Sequence, residues 1–173
     1  MTQSFLTGDR VAIRAMKLAD KDQAIAWFDS PFPVNTARAE TFLREEHTAT
    51  WHPDTTYLAI VRPGTDEVLG GVSMWTDDRR VGWVRITMAP ALDEADRLRG
   101  DALRLLIPWW RDEFEFMAVN VEIAADQPGT IAAAEELDMV PAVRWRQNLA
   151  RPDGYVDLLI YQALNPDWGT SNA

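Results

Sequence analysis

Residues 83–114 run Trp83-Val84-Arg85-Ile86-Thr87-Met88, then Ala89-Pro90, a charged stretch Arg97-Leu98-Arg99-Gly100-Asp101-Ala102, and the apolar run Leu103-Arg104-Leu105-Leu106-Ile107-Pro108-Trp109-Trp110. The first segment has strand composition, and Ala89-Pro90 closes it. The charged stretch reads as a loop, with a helix from Leu103. A strand feeding a loop at a helix N-terminus suits an anion, because unpaired backbone N–H groups and the helix dipole point at it. The segment also sets Asp93, Glu94, Asp96 and Asp101 against Arg97, Arg99 and Arg104. That balance is poor for a polyanion. Pro108 should kink the helix that holds it.

Outward from this segment the periodicity alternates between strand and helix. Arg10 to Met16 alternates with period two, and Asp20 and Asp22 open a short helix through Trp27-Phe28. Asn35 is placed to cap a second helix with Ala39, Phe42 and Leu43 on one face. Tyr57–Val61 and Val68–Trp75 are strands around the turn Pro63-Gly64-Thr65-Asp66, and Gly70-Gly71 marks a bulge or a close backbone approach. Val119–Ile123 is a strand and Thr130–Leu137 a helix. Val143–Leu149 and Tyr155–Leu164 form a hairpin about Pro152-Asp153-Gly154. The order predicts one α/β domain over 1–173, with an ordered core from about 8 to 168, in which helices flank a single mixed, mostly antiparallel sheet.

Composition narrows the function classes. The 173 residues are 47% hydrophobic and 25% charged, as in a globular domain. There is no cysteine, which removes disulfides, thiolate metal ligands and a cysteine nucleophile. No metal-ligand spacing stands out, so no metal site is expected. A net charge of −10 argues against nucleic acid as a partner and tolerates a cationic substrate. With no basic-then-apolar N-terminus and no long apolar run, neither a signal peptide nor a membrane span is expected, and a cytoplasmic location follows as the expectation.

The loop pattern Arg-x-x-Gly-x-Ala, together with the element order, resembles the GNAT N-acetyltransferase superfamily over roughly Arg10 to Trp168. The similarity extends to its ribosomal-protein N-terminal acetyltransferase branch. Pro31-Phe32-Pro33 before Ala39 and Phe42-Leu43 resembles that branch's break before its second helix. Val68-Leu69-Gly70-Gly71-Val72, Ala102-Leu103-Arg104-Leu105-Leu106 and Asp153-Gly154-Tyr155-Val156-Asp157 resemble further segments in the same order. The resemblance implies acyl transfer from acetyl-CoA, or another acyl-CoA, to an amine of a small molecule or protein N-terminus. A homodimer is compatible with it.

On the same basis the cofactor would pair with Ile86, Thr87 and Met88, meet Arg97, Arg99, Gly100, Asp101 and Ala102 with its diphosphate, and reach Gln127 with its pantetheine arm. The departures fall on the chemistry. With the helix anchored at Ala102, the family's loop glycines fall near Arg97 and Arg99, and its usual glutamate, a general base, near Trp83. Ala134, Asp138 and Met139 stand where a motif with a tyrosine acid is expected. Arg97 and Arg99 therefore read either as diphosphate partners or as a helix cap paired with nearby acids. Gly100 reads as close approach or as a turn. His47 and His52 flank Trp51 and read as proton-transfer candidates or as ordinary loop histidines. Trp75, Trp83, Trp109 and Trp110 are candidates for an aromatic pocket, with core burial the default for Trp109. A second reading keeps the fold and abandons CoA, leaving a cleft that binds or converts a small molecule.

Overall fold

The computed structural model describes residues 4–28, 34–46, 55–77, 80–114, 116–166 and 168. Pro31-Phe32-Pro33, His47, Trp51 and His52 lie outside the described residues. The strands are β1 (Leu6–Thr7), β2 (Ala12–Ala15), β3 (Thr56–Val61), β4 (Val68–Asp77), β5 (Val81–Met88), β6 (Ala118–Ala124), β7 (Val140–Arg151) and β8 (Gly154–Leu164). The helices are α1 (Ala24–Trp27), preceded by a 3-10 turn over Leu18–Gln23, α2 (Thr36–Glu46), α3 (Ala95–Phe114) and α4 (Pro128–Glu136). One sheet runs β1-β2-β3-β4-β5-β6-β8-β7. Every neighbouring pair is antiparallel except β5–β6.

Each face of the sheet is buried by different helices. Along β5 the side chains alternate, so Val84, Ile86 and Met88 are buried while Trp83, Arg85 and Thr87 face the other way, half-buried. The buried set packs with Leu98, Ala102, Leu106 and Trp110 of α3. On the opposite face α1 and α2 lay Trp27, Ala39 and Leu43 over Ala12, Ala59 and Val61. Removal of such apolar area from water is the main force holding the layers together.

Local sequence signals explain much of this. Asn35 caps α2 as its position predicts, with its Oδ1 accepting from the Arg38 N–H at 2.8 Å. The register of β3 and β4 slips at Ile60/Val61, opposite Leu69. The two glycines beside it serve close approach: a Cβ on Gly71 would stand 2.7 Å from the Trp27 Cβ, and one on Gly70 2.3 Å from the Thr87 carbonyl oxygen. Gly154 turns β7 into β8 at φ +137.

The expected loop at Arg97–Ala102 is absent. Helix α3 already begins at Ala95 and runs through Pro108 to Phe114. The reason is apolar spacing: Ala95, Leu98, Ala102, Leu106 and Trp110 recur at three- and four-residue intervals and all pack on the core. The acids and arginines between them occupy the remaining faces of the same helix.

Candidate active site

The β5–β6 ladder stops early. Its four residue pairs run from Val81↔Ala118 to Val84↔Val121, yet β5 continues to Met88 and β6 to Ala124. Beyond Val84 the two strands part. A groove of about 520 Å³ follows the parted edge, bordered by Ile86, Thr87 and Met88 on β5, Glu122 on β6, Gln127 before α4, and Arg99 on α3. Trp145, Asn148 and Arg151 of β7 form its far wall.

Arg99 is the most unusual side chain in this groove. It is 14% exposed, and its Nη1 stands 3.9 Å from Asp96 Oδ1, too far for a hydrogen bond. Its buried Nε has no hydrogen-bond partner. Burial pushes its pKa below the usual arginine value, with Asp96 and Asp126 pulling the other way. A buried donor left unmatched costs about 1–3 kcal/mol, and at the wall of a groove this one is within reach of an incoming acceptor, water or ligand. Arg151, on the opposite wall, pairs with Asp126 at 2.7 Å and holds that carboxyl below the usual carboxylate range.

No local sequence signal singles out Glu122. Arg85 Nε donates to its Oε2 at 2.7 Å and Nη2 to its Oε1 at 3.1 Å, bridging β5 and β6 just past the end of their ladder. Among the described groove-lining residues it is the single carboxylate. The alternation Val119-Asn120-Val121-Glu122-Ile123 does mark Glu122 as facing away from the α3 side. What the sequence withholds is the parallel register that sets it beside Arg85.

The structure brings five of the expected cofactor residues to the groove: Ile86, Thr87, Met88, Arg99 and Gln127. The other four lie elsewhere. Arg97 is exposed and stands 4.0 Å from Glu94. Asp101 pairs with Arg10 at 2.6 Å and Arg104 at 3.2 Å. Ala102 is in the core. Gly100 is not in a turn. It lies inside α3, where a Cβ would stand 3.0 Å from the Gly129 carbonyl oxygen and 3.2 Å from the Ala133 Cβ of α4. Gly100→Val should therefore cost about 1–3 kcal/mol by overpacking the two helices. A urea melt measures the loss, and a change in groove affinity without one would contradict the helix-packing role.

Other sequence candidates are displaced in the same way. Trp83 pairs with Asn120 within the intact part of the ladder and stacks on Trp75, with centroids 6.0 Å apart and planes 7° apart. Neither tryptophan lines the groove. Trp110 is core, and Trp109 packs on Phe5 at 5.0 Å. The aromatic residues that do enclose a cavity are Trp27, Phe28, Phe42 and Tyr57, around about 160 Å³. Arg85 and Thr87 line this cavity and the groove alike, so the two meet on β5.

Asp96 has a role that crosses elements. Its carboxylate accepts from the Gly129 and Thr130 N–H groups at 2.6 and 3.0 Å and from Thr130 Oγ1 at 2.6 Å. It caps α4 from α3, since Gln127 at the α4 N-cap makes no side-chain capping bond. This acid is thereby committed to a helix N-terminus. Among the described residues no group of three or more acids and histidines is placed to hold a metal, and no helix is long and apolar enough to cross a membrane.

No protein-family model matches the chain, and neither does any curated protein. Among solved structures, a Sphaerobacter thermophilus protein assigned as an acetyltransferase is 46% identical. The match covers 95% of this chain and all of that one, with a TM-score of 0.77. Ribosomal-protein-S5-alanine acetyltransferase from Vibrio fischeri superposes with a TM-score of 0.71 at 15% identity, covering 96% of this chain and 98% of that one. A GNAT-family acetyltransferase from Bacillus anthracis does so with a TM-score of 0.67 at 10% identity, covering 92% and 97%. The last two share the fold alone, whereas the first shares nearly half its residues along the whole length. Element order and that relative agree, and the chain belongs to the GNAT acetyltransferase superfamily.

Proposed function

We propose that the protein is an N-acyltransferase that takes its acyl group from acetyl-CoA, or another acyl-CoA, and delivers it to a primary amine. The observation that carries this reading is the groove itself. Beyond Val84 the β5 edge from Ile86 to Met88 has left the β6 ladder, so its backbone is available to an amide-bearing ligand. Arg99, with its unmatched Nε, stands beside it. That combination fits the amides and phosphates of a CoA arm. It does so without a glycine-rich loop, since residues 97–102 are part of α3.

When bound, an acyl-CoA supplies the thioester carbonyl that an amine attacks. The protein's share is positioning, water exclusion and proton traffic. Glu122 is the groove carboxylate able to take a proton from the incoming ammonium, directly or through water. Arg85 fixes its orientation by two hydrogen bonds. Trp83, stacked on Trp75, is an indole with no acceptor nitrogen and takes no part in that proton transfer.

The alternative reading is a cleft that binds a small molecule without acyl transfer. It draws on one observation: α3 begins at Ala95, so the stretch that resembles the family's cofactor loop is helix. Acetyl-CoA separates the two. Under the acyltransferase reading acetyl-CoA raises the melting midpoint, and Arg99→Glu weakens its binding by about 1–3 kcal/mol, through loss of a charge-assisted contact and gain of a repulsion. Absence of any shift in the unmutated protein would favour the alternative. Unchanged affinity in the variant would remove Arg99 from the site.

A further inference from the structure

We infer that the groove holds the diphosphate of an acyl-CoA between two arginine side chains, Arg99 of α3 and Arg151 of β7, and that Asp126 competes with the phosphates for Arg151. The inference rests on the acyltransferase reading above. It names the side chains that meet the anion and the one that opposes it.

A helix start is the usual seat for an anion, and neither helix start beside the groove suits one. At α4, whose N-cap Gln127 borders the groove, the Gly129 and Thr130 N–H groups are already bound to the Asp96 carboxylate. At α3 the first turn carries Asp96, with Asp93 and Glu94 just before the helix. Acids there cancel the dipole that an anion would use. The positive charge at the groove is therefore carried by side chains. Arg85 is bound to Glu122. Arg99 has a neighbouring acid, Asp96, whose oxygens serve α4, and its buried Nε has no hydrogen-bond partner.

Asp126 links the two walls. Its carboxylate accepts from Arg151 Nε at 2.7 Å and Nη2 at 3.2 Å. It also lies close enough to Arg99 to favour that group's charged form, while Arg151 disfavours it. Two positive charges and one negative charge thus act on one another across the groove. A diphosphate brings two negative charges and oxygens that match the planar guanidinium fork. The Arg151–Asp126 pair is 35% and 38% exposed, and pairs so exposed contribute little, so it yields to a ligand at small cost. An Asp126 carboxylate left beside bound phosphate then repels it. The diphosphate is assigned, and not the 3′-phosphate, because it follows directly on the arm whose amides would meet Ile86 to Met88 in the same groove.

The test is calorimetric titration of acetyl-CoA, its 3′-dephospho form and acetyl-pantetheine into the full chain and into Arg151→Gln and Asp126→Asn, with a urea melt of each protein. Arg151→Gln should weaken both phosphate-bearing ligands about tenfold, the scale of one hydrogen bond to a charged group. Asp126→Asn should act in the opposite direction and tighten both by about three- to tenfold at low salt, a gain that shrinks as salt screens the charges. Neither substitution should change the affinity of acetyl-pantetheine, which lacks phosphate. Weaker or unchanged acetyl-CoA binding in Asp126→Asn would make that acid a prop for Arg151 or a bystander, and overturns the competition. Unchanged binding in Arg151→Gln, or an equal effect on all three ligands, overturns the clamp. An effect confined to acetyl-CoA and absent from its dephospho form moves the contact to the 3′-phosphate and overturns the diphosphate assignment. In each of these cases acetyl-CoA still binds the unmutated protein and the acyltransferase reading stands. Failure of the unmutated protein to bind acetyl-CoA overturns both.

Discussion

Asp20→Ala is expected to destabilise the fold by about 3–5 kcal/mol, the scale of breaking a buried ion pair by removing one partner. Arg14 and Asp20 are 1% and 0% exposed. The carboxylate accepts both Arg14 Nη groups at 2.8 Å and the Lys17 N–H at 2.8 Å. Without it the guanidinium is buried and uncompensated. The damage also reaches the aromatic cavity, because the Asp20 carbonyl accepts the indole N–H of Trp27, a cavity wall, at 2.8 Å. The double variant Arg14→Met with Asp20→Leu removes both charges and should recover most of the loss, since apolar replacements of buried pairs are often neutral. Urea denaturation of the three proteins decides the matter. Equal losses in the single and double variants would mean that the pair matters through shape alone.

The second large effect concerns Glu122. Glu122→Gln should lower kcat by about 10²-fold near neutral pH, the lower end of what a positioned base contributes. Acetyl-CoA affinity should be unchanged, because no carboxylate is needed there. The variant's rate should then climb steadily with pH as the amine's free-base fraction grows, with no plateau near neutrality. Coincident pH–rate profiles for the variant and the unmutated enzyme would exclude Glu122 and leave the free amine to react without help.

Much of the architecture was readable because local signals and global packing agree. Asn35 before an amphipathic run, Gly154 in a turn and the strand composition of β5 each point to the observed element. The start of α3 was misread for a specific reason. Gly100 between charged residues resembles a loop, and the periodic series Ala95, Leu98, Ala102, Leu106 and Trp110 was the stronger signal. Gly100 is explained only by Gly129 and Ala133, which lie about 30 residues further on, so no local pattern reveals it. The capping of α4 by Asp96 is equally non-local. The groove was half-legible. Ile86 to Met88 follow from the family resemblance, whereas Glu122 and Arg151 enter only through the pairing of β5 with β6 and of β7 with β8.

The short parallel ladder has a mechanical consequence. The sheet consists of two antiparallel ribbons, β1–β2–β3–β4–β5 and β7–β8. Between them stands β6, which holds seven residue pairs with β8 and four with β5. The β5–β6 line is thus the weaker of the two seams beside β6. A relative tilt of the ribbons would open or close there at the least loss of hydrogen bonding. A ligand reaching from the β5 edge to Arg151 and Trp145 of β7 acts as a stitch across that seam, so filling the groove should turn two semi-independent ribbons into one stiff body.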